Sequence, residues 1–170
     1  MPVEIERKFL VRDDGWRGLG PGQRYCQGYL ANGDVTVRVR RAGSRAYLTV
    51  KGSGNGLVRP EFEYEVPVEE AEDMLQLCRR PLIEKTRYEV LHEGVVWHVD
   101  EFAGQNAGLV IAEVELDHPH QPVALPAWVG PEVTADERFR NSRLVTEPLN
   151  EGEARSLAVE VETRRHRSRA

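Results

Sequence analysis

Apolar and polar residues alternate with a period of two through most of this chain. In VTVRVR (35–40), Val35, Val37 and Val39 fall on one side and Thr36, Arg38 and Arg40 on the other. Successive side chains of a strand point to opposite faces, so this spacing predicts strands. The same rhythm runs through 3–11, 24–31, 46–52, 60–66, 83–94, 95–102 and 109–117. Turn signals separate the runs: Asn32-Gly33-Asp34, Gly43-Ser44, and the glycine-rich stretch GSGNG at 52–56. About eight antiparallel strands follow from this pattern.

One segment changes period. Apolar residues at 68, 71, 74, 75 and 78 have helical spacing and predict a helix over 67–81. Glu69 and Glu70 suit its first turn, Arg79 and Arg80 its last, and Pro81 ends it. A short helix is expected over 136–144, after Thr134-Ala135-Asp136. Another is expected from Glu151 to about Arg165, with Ala154, Leu157, Ala158 and Val161 on one face. The basic end, RRHRSRA, reads as a solvated tail. The expected class is α+β, mostly β, with one domain over 1–150 and a C-terminal helix and tail over 151–170.

Sorting each strand by parity concentrates the charge on one face. That face holds eight carboxylates, Glu4, Glu6, Glu61, Glu63, Glu65, Asp100, Glu113 and Glu115, and six cations, Lys8, Arg38, Arg40, Lys51, Lys85 and Arg87. The opposite faces carry Phe62, Trp97, Val99, Ala112, Val114 and similar residues. Arg7 is the exception, an arginine on the apolar side of the first strand with only a surface contact expected for it. One strand with a charged face needs no more than solvent to explain it. Seven strands, some purely acidic and others purely basic, point instead to a closed barrel with apolar faces against helices outside and charges inside. The interior of an eight-stranded barrel can be filled by side chains or can hold one small ligand. The arginines suit phosphoryl oxygens, which they contact bidentately. The carboxylates suit a hard divalent cation, Mg²⁺ or Mn²⁺. Without ligands the like charges would repel, so each set implies the other.

Bulk composition narrows the classes. The 170 residues include 23 Lys and Arg against 28 Asp and Glu, a net charge of −5, which argues against generic nucleic-acid binding. No apolar run approaches the roughly 20 residues of a membrane span. The charged N-terminus does not resemble an export signal, so a cytoplasmic protein is expected. Cys26 and Cys78 lack metal-like spacing and read as reduced, packed thiols. His98 reads as structural or lumen-facing.

EIERK at 4–8 resembles the ExExK signature of the CYTH superfamily, the triphosphate tunnel metalloenzymes. The similarity continues through QGYL, VRVR, LTVKG, EFEYEV, EKTRY, VDEF and AEVEL to EVT-D-RF near residue 139. The resemblance implies an eight-stranded antiparallel tunnel that takes a linear triphosphate with a divalent metal. It implies metal binding by Glu4, Glu6, Glu63, Glu113 and Glu115, with Glu61, Glu65 and Asp100 as further participants. It implies phosphate binding by Lys8, Arg38, Arg40, Lys51, Arg59, Lys85, Arg87 and Arg138. The chain is most similar to the short bacterial inorganic triphosphatases, being short and beginning at ExExK.

The expected activity is metal-dependent hydrolysis of tripolyphosphate to pyrophosphate and phosphate. Glu4, Glu6, Lys8, Lys51, Glu63 and Glu115 are the expected catalytic set, with Glu63 or Glu115 positioning water. Two alternatives stay open: an adenylyl cyclase of class IV type or a nucleotide or thiamine triphosphatase, and a non-catalytic polyphosphate- or nucleotide-binding module. The expected partner is a small polyphosphate, with no nucleic acid and no membrane. The sequence sets no oligomeric state.

Overall fold

The structure, a computed structural model, describes residues 1–54 and 57–167. Nine strands form: β1 (Val3–Val11), β2 (Gly22–Asn32), β3 (Thr36–Ala42), β4 (Arg45–Lys51), β5 (Val58–Val66), β6 (Ile83–His92), β7 (Val95–Phe102), β8 (Val110–Glu115) and β9 (Val129–Glu132). They hydrogen-bond in the order β5-β4-β3-β2-β6-β7-β8-β1-β9, and β1 also pairs with β5. That extra pairing closes an eight-stranded antiparallel barrel. The expected strands are all present, with ends moved by a few residues. The turn expected at 52–56 falls partly outside the described residues, as does the end of the basic tail.

β1 is the closing strand, and it uses both edges. Val3–Ile5 face Pro60–Val58 of β5, while Glu6–Leu10 face Glu115–Ile111 of β8. Further along, Phe9 and Val11 face Glu132 and Val129 of β9, with a register shift between them. The four residues of β9 were not expected from the sequence. They include Gly130 and Pro131 and have no alternation of their own.

Three apolar clusters support the barrel: two cover its outer face, and one fills the inner face beyond the charged residues. Val39 and Ala46 pack under α1 (Val68–Leu77) through Ala71 and Leu75. α1 ends at Leu77, so Arg79 and Arg80 lie beyond it rather than in its last turn. Leu10, Ile83, Phe102 and Ile111 pack with Phe139, Leu144 and Ala154. The helix expected over 136–144 is split into a 3-10 turn (Glu137–Phe139), capped by the Asp136 side chain, and α2 (Asn141–Leu144). Arg140 between them is extended, at φ −73° and ψ 134°. α3 (Glu151–Arg167) adds Ala154, Leu157 and Val161 to that cluster; the Ala158 side chain lies outside the described set.

The third cluster corrects the expectation that helices alone cover the wall. Phe9, Trp97, Val99, Ala112 and Val114 are covered by Trp16 and Trp128, which come from loops. Trp97 meets Phe9 at 5.5 Å and Trp128 at 5.9 Å between ring centroids. These edge-on and tilted contacts add to area burial. Cys26 and Cys78 are free thiols beside α1. No described helix is long and apolar enough to cross a membrane.

Candidate functional site

Closing the sheet puts its charged face inside, around a cavity of about 850 Å³. Strand parity delivers Glu4, Glu6 and Lys8 from β1, Arg38 and Arg40 from β3, and Lys51 from β4 to its wall. β5 supplies Arg59, Glu61 and Glu63, β6 supplies Lys85 and Arg87, and β8 supplies Glu113 and Glu115. These are most of the residues expected at the site.

The acidic and basic strands compensate one another across the lumen. Lys51 Nζ lies 2.6 Å from Glu4 and 2.8 Å from Glu61. Lys8 Nζ lies 3.0 Å from Glu113 and 3.6 Å from Glu6. Arg38 and Arg40 approach Glu63 at 3.3 and 3.2 Å, and the Thr49 hydroxyl donates to the same carboxylate at 2.8 Å. The two sets of charges thus balance each other directly, with counter-ions one or two strands away around the barrel.

Three expected residues do not line the cavity. Asp100 is fully buried beneath its wall, with Lys85 Nζ at 2.6 Å and Arg87 Nε and Nη2 each at 2.7 Å. Its place is under the cations it holds. Arg138 belongs to the 3-10 turn, where its guanidinium is bound by Asp136 and stands 3.8 Å from Glu160 of α3. Strand parity does not extend into that turn, and Arg140 and Arg143 reach the cavity instead. Glu65, farther along β5, is exposed and paired with Arg45.

Burial and neighbours move the titrations in opposite directions. Burial, then Glu113 and Glu4, push the Glu6 carboxyl above the ordinary range, against Lys8. Burial also raises Glu4, against Lys51. Burial would raise Glu113, but Lys8, Arg87 and Lys85 more than offset it and hold it well below the usual range. Burial opposes ionisation of Glu63 too, and Arg40, Thr49 and Arg38 reverse the sign. Burial lowers Lys85 to about 8 despite Asp100. Burial, then Arg87, lowers His98, which lines the cavity 4.0 Å from Glu89.

The donor set fits a hard divalent cation. Every carboxylate here offers oxygen, the ligand type of Mg²⁺ and Mn²⁺. Glu6 and Glu115 stand directly opposite each other across β1 and β8, an unfavourable pairing for two anions that a cation would relieve. Among the described residues no three such side chains already enclose an ion position. Glu115 is exposed and carries no ion pair or hydrogen bond among the described residues.

Sequence reasoning missed several lining groups. Tyr25 lies between Arg40 and Arg87, at 5.1 and 5.4 Å from its ring centroid. Gln27 and Asn141 form a buried polar cluster, in which Lys85 donates to Asn141 at 3.1 Å. Parity along RYCQGYL puts residues 25, 27 and 29 on one face, a signal available from the sequence. Asn141, Arg140 and Arg143 had none.

A closed barrel whose lumen alternates arginine, lysine and glutamate defines a tunnel for a polyanion and its counter-ion. The chain belongs to the CYTH domain family, which it matches over residues 2–145. It is 49% identical over 150 residues to the inorganic triphosphatase of Acetivibrio thermocellus, covering 87% of this chain and 96% of that one. It is 36% identical over 149 residues to the inorganic triphosphatase of Nitrosomonas europaea, covering 84% and 96%. The crystal structure of the inorganic triphosphatase NE1496 superposes with a TM-score of 0.62 at 33% identity, over 85% of this chain and 95% of that one. The Hippeastrum protein HpAC1, at 14% identity and a TM-score of 0.52 over 70% and 81%, shares the fold alone.

Proposed function

We propose that this chain hydrolyses inorganic tripolyphosphate to pyrophosphate and phosphate inside the tunnel, with Mg²⁺ or Mn²⁺. The observation that carries the reading is the cavity wall. Arg38, Arg40, Arg59, Arg87, Lys51 and Lys85 surround a space bordered on β1 and β8 by Glu4, Glu6, Glu113 and Glu115. The names of the two bacterial relatives agree with it.

An inorganic substrate is favoured over a nucleotide. Val3 and Leu57 are the aliphatic side chains in the described wall; of its two tyrosines, Tyr25 is engaged by two arginines and Tyr29 is buried against Gln27. A base or thiazole ring needs an apolar slot.

The cations would neutralise the three phosphoryl groups and hold them in line, and they would stabilise the charge that grows on departing pyrophosphate. Glu4, Glu6, Glu61, Glu113 and Glu115 would hold the metal, which when bound polarises phosphoryl oxygens. Glu63 is a poor base because Arg38, Arg40 and Thr49 occupy its oxygens. Glu115 is the carboxylate available to orient the attacking water.

Phosphate release from tripolyphosphate, ATP, thiamine triphosphate and pyrophosphate, each with Mg²⁺, Mn²⁺ or chelator, tests the proposal. Turnover of tripolyphosphate that needs metal and disappears in Glu6→Gln is expected. Chelator-resistant turnover overturns the metal assignment. Tight tripolyphosphate binding without turnover at any metal returns the chain to the class of binding modules.

A further inference from the structure

We propose that Tyr25 is a positioning residue, whose ring spaces Arg40 and Arg87 so that both guanidiniums reach one phosphoryl group. The inference rests on the tripolyphosphate reading above. β2 lies between β3 and β6 in the barrel. Across β3, Tyr25 faces Ala42, and the next inward pair is Gln27 with Arg40. Across β6, Tyr25 faces Lys85, and the inward pair on the other side is Gln23 with Arg87. The two arginines are therefore diagonal to Tyr25, one on each neighbouring strand. Ala42 leaves the room that the ring and the Arg40 side chain share.

The two guanidiniums repel one another; Arg87 is among the charges that disfavour protonation of Arg40, after burial and Arg38. The π-face of an aromatic ring attracts a cation placed over it, so one ring between two guanidiniums draws both toward itself and fixes their separation. Each arginine is anchored behind by carboxylate, Arg40 by Glu63 and Arg87 by Asp100 and Glu113. Carboxylate and ring together leave few orientations for the forks, which conserves the entropy otherwise lost when they close on phosphate. The Tyr25 hydroxyl makes no hydrogen bond to the described protein, so the ring carries the role.

The experiment compares Tyr25→Phe, Tyr25→Leu and Tyr25→Met in the full chain, with tripolyphosphate as the probe. KM and kcat are measured under saturating Mg²⁺, and tripolyphosphate affinity by calorimetry. Tyr25→Phe is expected to keep KM within about twofold. Tyr25→Leu and Tyr25→Met are expected to raise KM and the calorimetric Kd about five- to thirtyfold, the loss of two cation–π contacts, with a smaller change in kcat. The arginine Nε–H signals of the two aliphatic variants should broaden while the rest of the spectrum stays folded. Unchanged affinity in both aliphatic variants overturns the role of Tyr25 and leaves hydrolysis standing. Weakened binding in those variants of a chain that turns over no triphosphate keeps Tyr25 as a positioning residue and removes the hydrolytic reading.

Discussion

Arg7 holds Glu132 with two parallel hydrogen bonds, Nε at 2.9 Å and Nη2 at 2.8 Å, while the Thr134 hydroxyl donates to the same carboxylate at 2.9 Å. The guanidinium also lies 5.0 Å from the Phe9 ring centroid. The arginine that broke the apolar face of β1 is the clamp that fastens β9 to it. Both groups are about a quarter exposed, so water screens the pair. Arg7→Ala should cost about 1–2 kcal/mol in chemical denaturation. It should leave kcat on tripolyphosphate within about twofold, because the clamp is outside the barrel. A double-mutant cycle with Glu132→Gln measures the pair directly.

Asp100 separates a supporting role from a ligating one. Asp100→Asn leaves Lys85 without its buried carboxylate and Arg87 with Glu113 alone, and should destabilise the fold by about 3–5 kcal/mol. KM for tripolyphosphate should rise as the cations lose their anchor. The concentration of Mn²⁺ for half-maximal activity should stay the same. A tenfold weaker response to Mn²⁺ would put Asp100 among the metal ligands instead.

Glu63 and Glu115 differ in what already occupies their oxygens. Glu115→Gln is expected to lower kcat by about 10²–10⁴, the range for losing a group that positions or activates the nucleophile. Glu63→Gln should cost far less in kcat and act on KM through Arg38 and Arg40. Equal losses in kcat for the two variants would contradict this division.

Much of the fold was legible because a barrel strand declares both faces at once. Parity assigned Glu4, Glu6, Arg38, Arg40, Glu63, Glu113 and Glu115 to the inside, where the cavity wall contains them. β9 was not legible, since VGPE owes its conformation to its neighbour and not to its own pattern. Arg7 stayed unexplained for the same reason: its partner sits on the strand that the pattern omits. Depth was invisible as well. Parity places Asp100 on the inner face correctly, but cannot say that Lys85 and Arg87 cover it. Around Asp136–Leu144 the chain follows neither period; the resemblance points to Arg138, whereas Arg140 and Arg143 line the cavity.

Glu6 should show a conflict between stability and activity. Its carboxyl titrates above the ordinary value because of burial, Glu113 and Glu4, so folding disfavours its ionised form. At neutral pH, in chelator, Glu6→Gln is therefore expected to melt higher than the parent. The advantage should shrink as pH falls through the raised pKa, where the parent also becomes neutral. A glutamine variant that melts lower at pH 7 refutes this sign. The same substitution is expected to abolish turnover.

The strands contribute seven cations (Lys8, Arg38, Arg40, Lys51, Arg59, Lys85, Arg87) and seven carboxylates (Glu4, Glu6, Glu61, Glu63, Glu89, Glu113, Glu115) to the cavity wall. With Arg140, Arg143, Asp34, Asp136 and Glu137 from outside the strands, the described wall holds nine cations and ten carboxylates, which leaves no surplus to draw an anion in. The lumen is in effect an ion exchanger with fixed sites of both signs. A phosphoryl group binding Arg38 and Arg40 would free Glu63, and Glu4 engaged by a metal would free Lys51. Each exchange would prepare the site for the other, so uptake of the anion and of the cation is expected to be reciprocally linked. Raising free Mg²⁺ should tighten tripolyphosphate binding by the same factor that tripolyphosphate tightens Mg²⁺ binding.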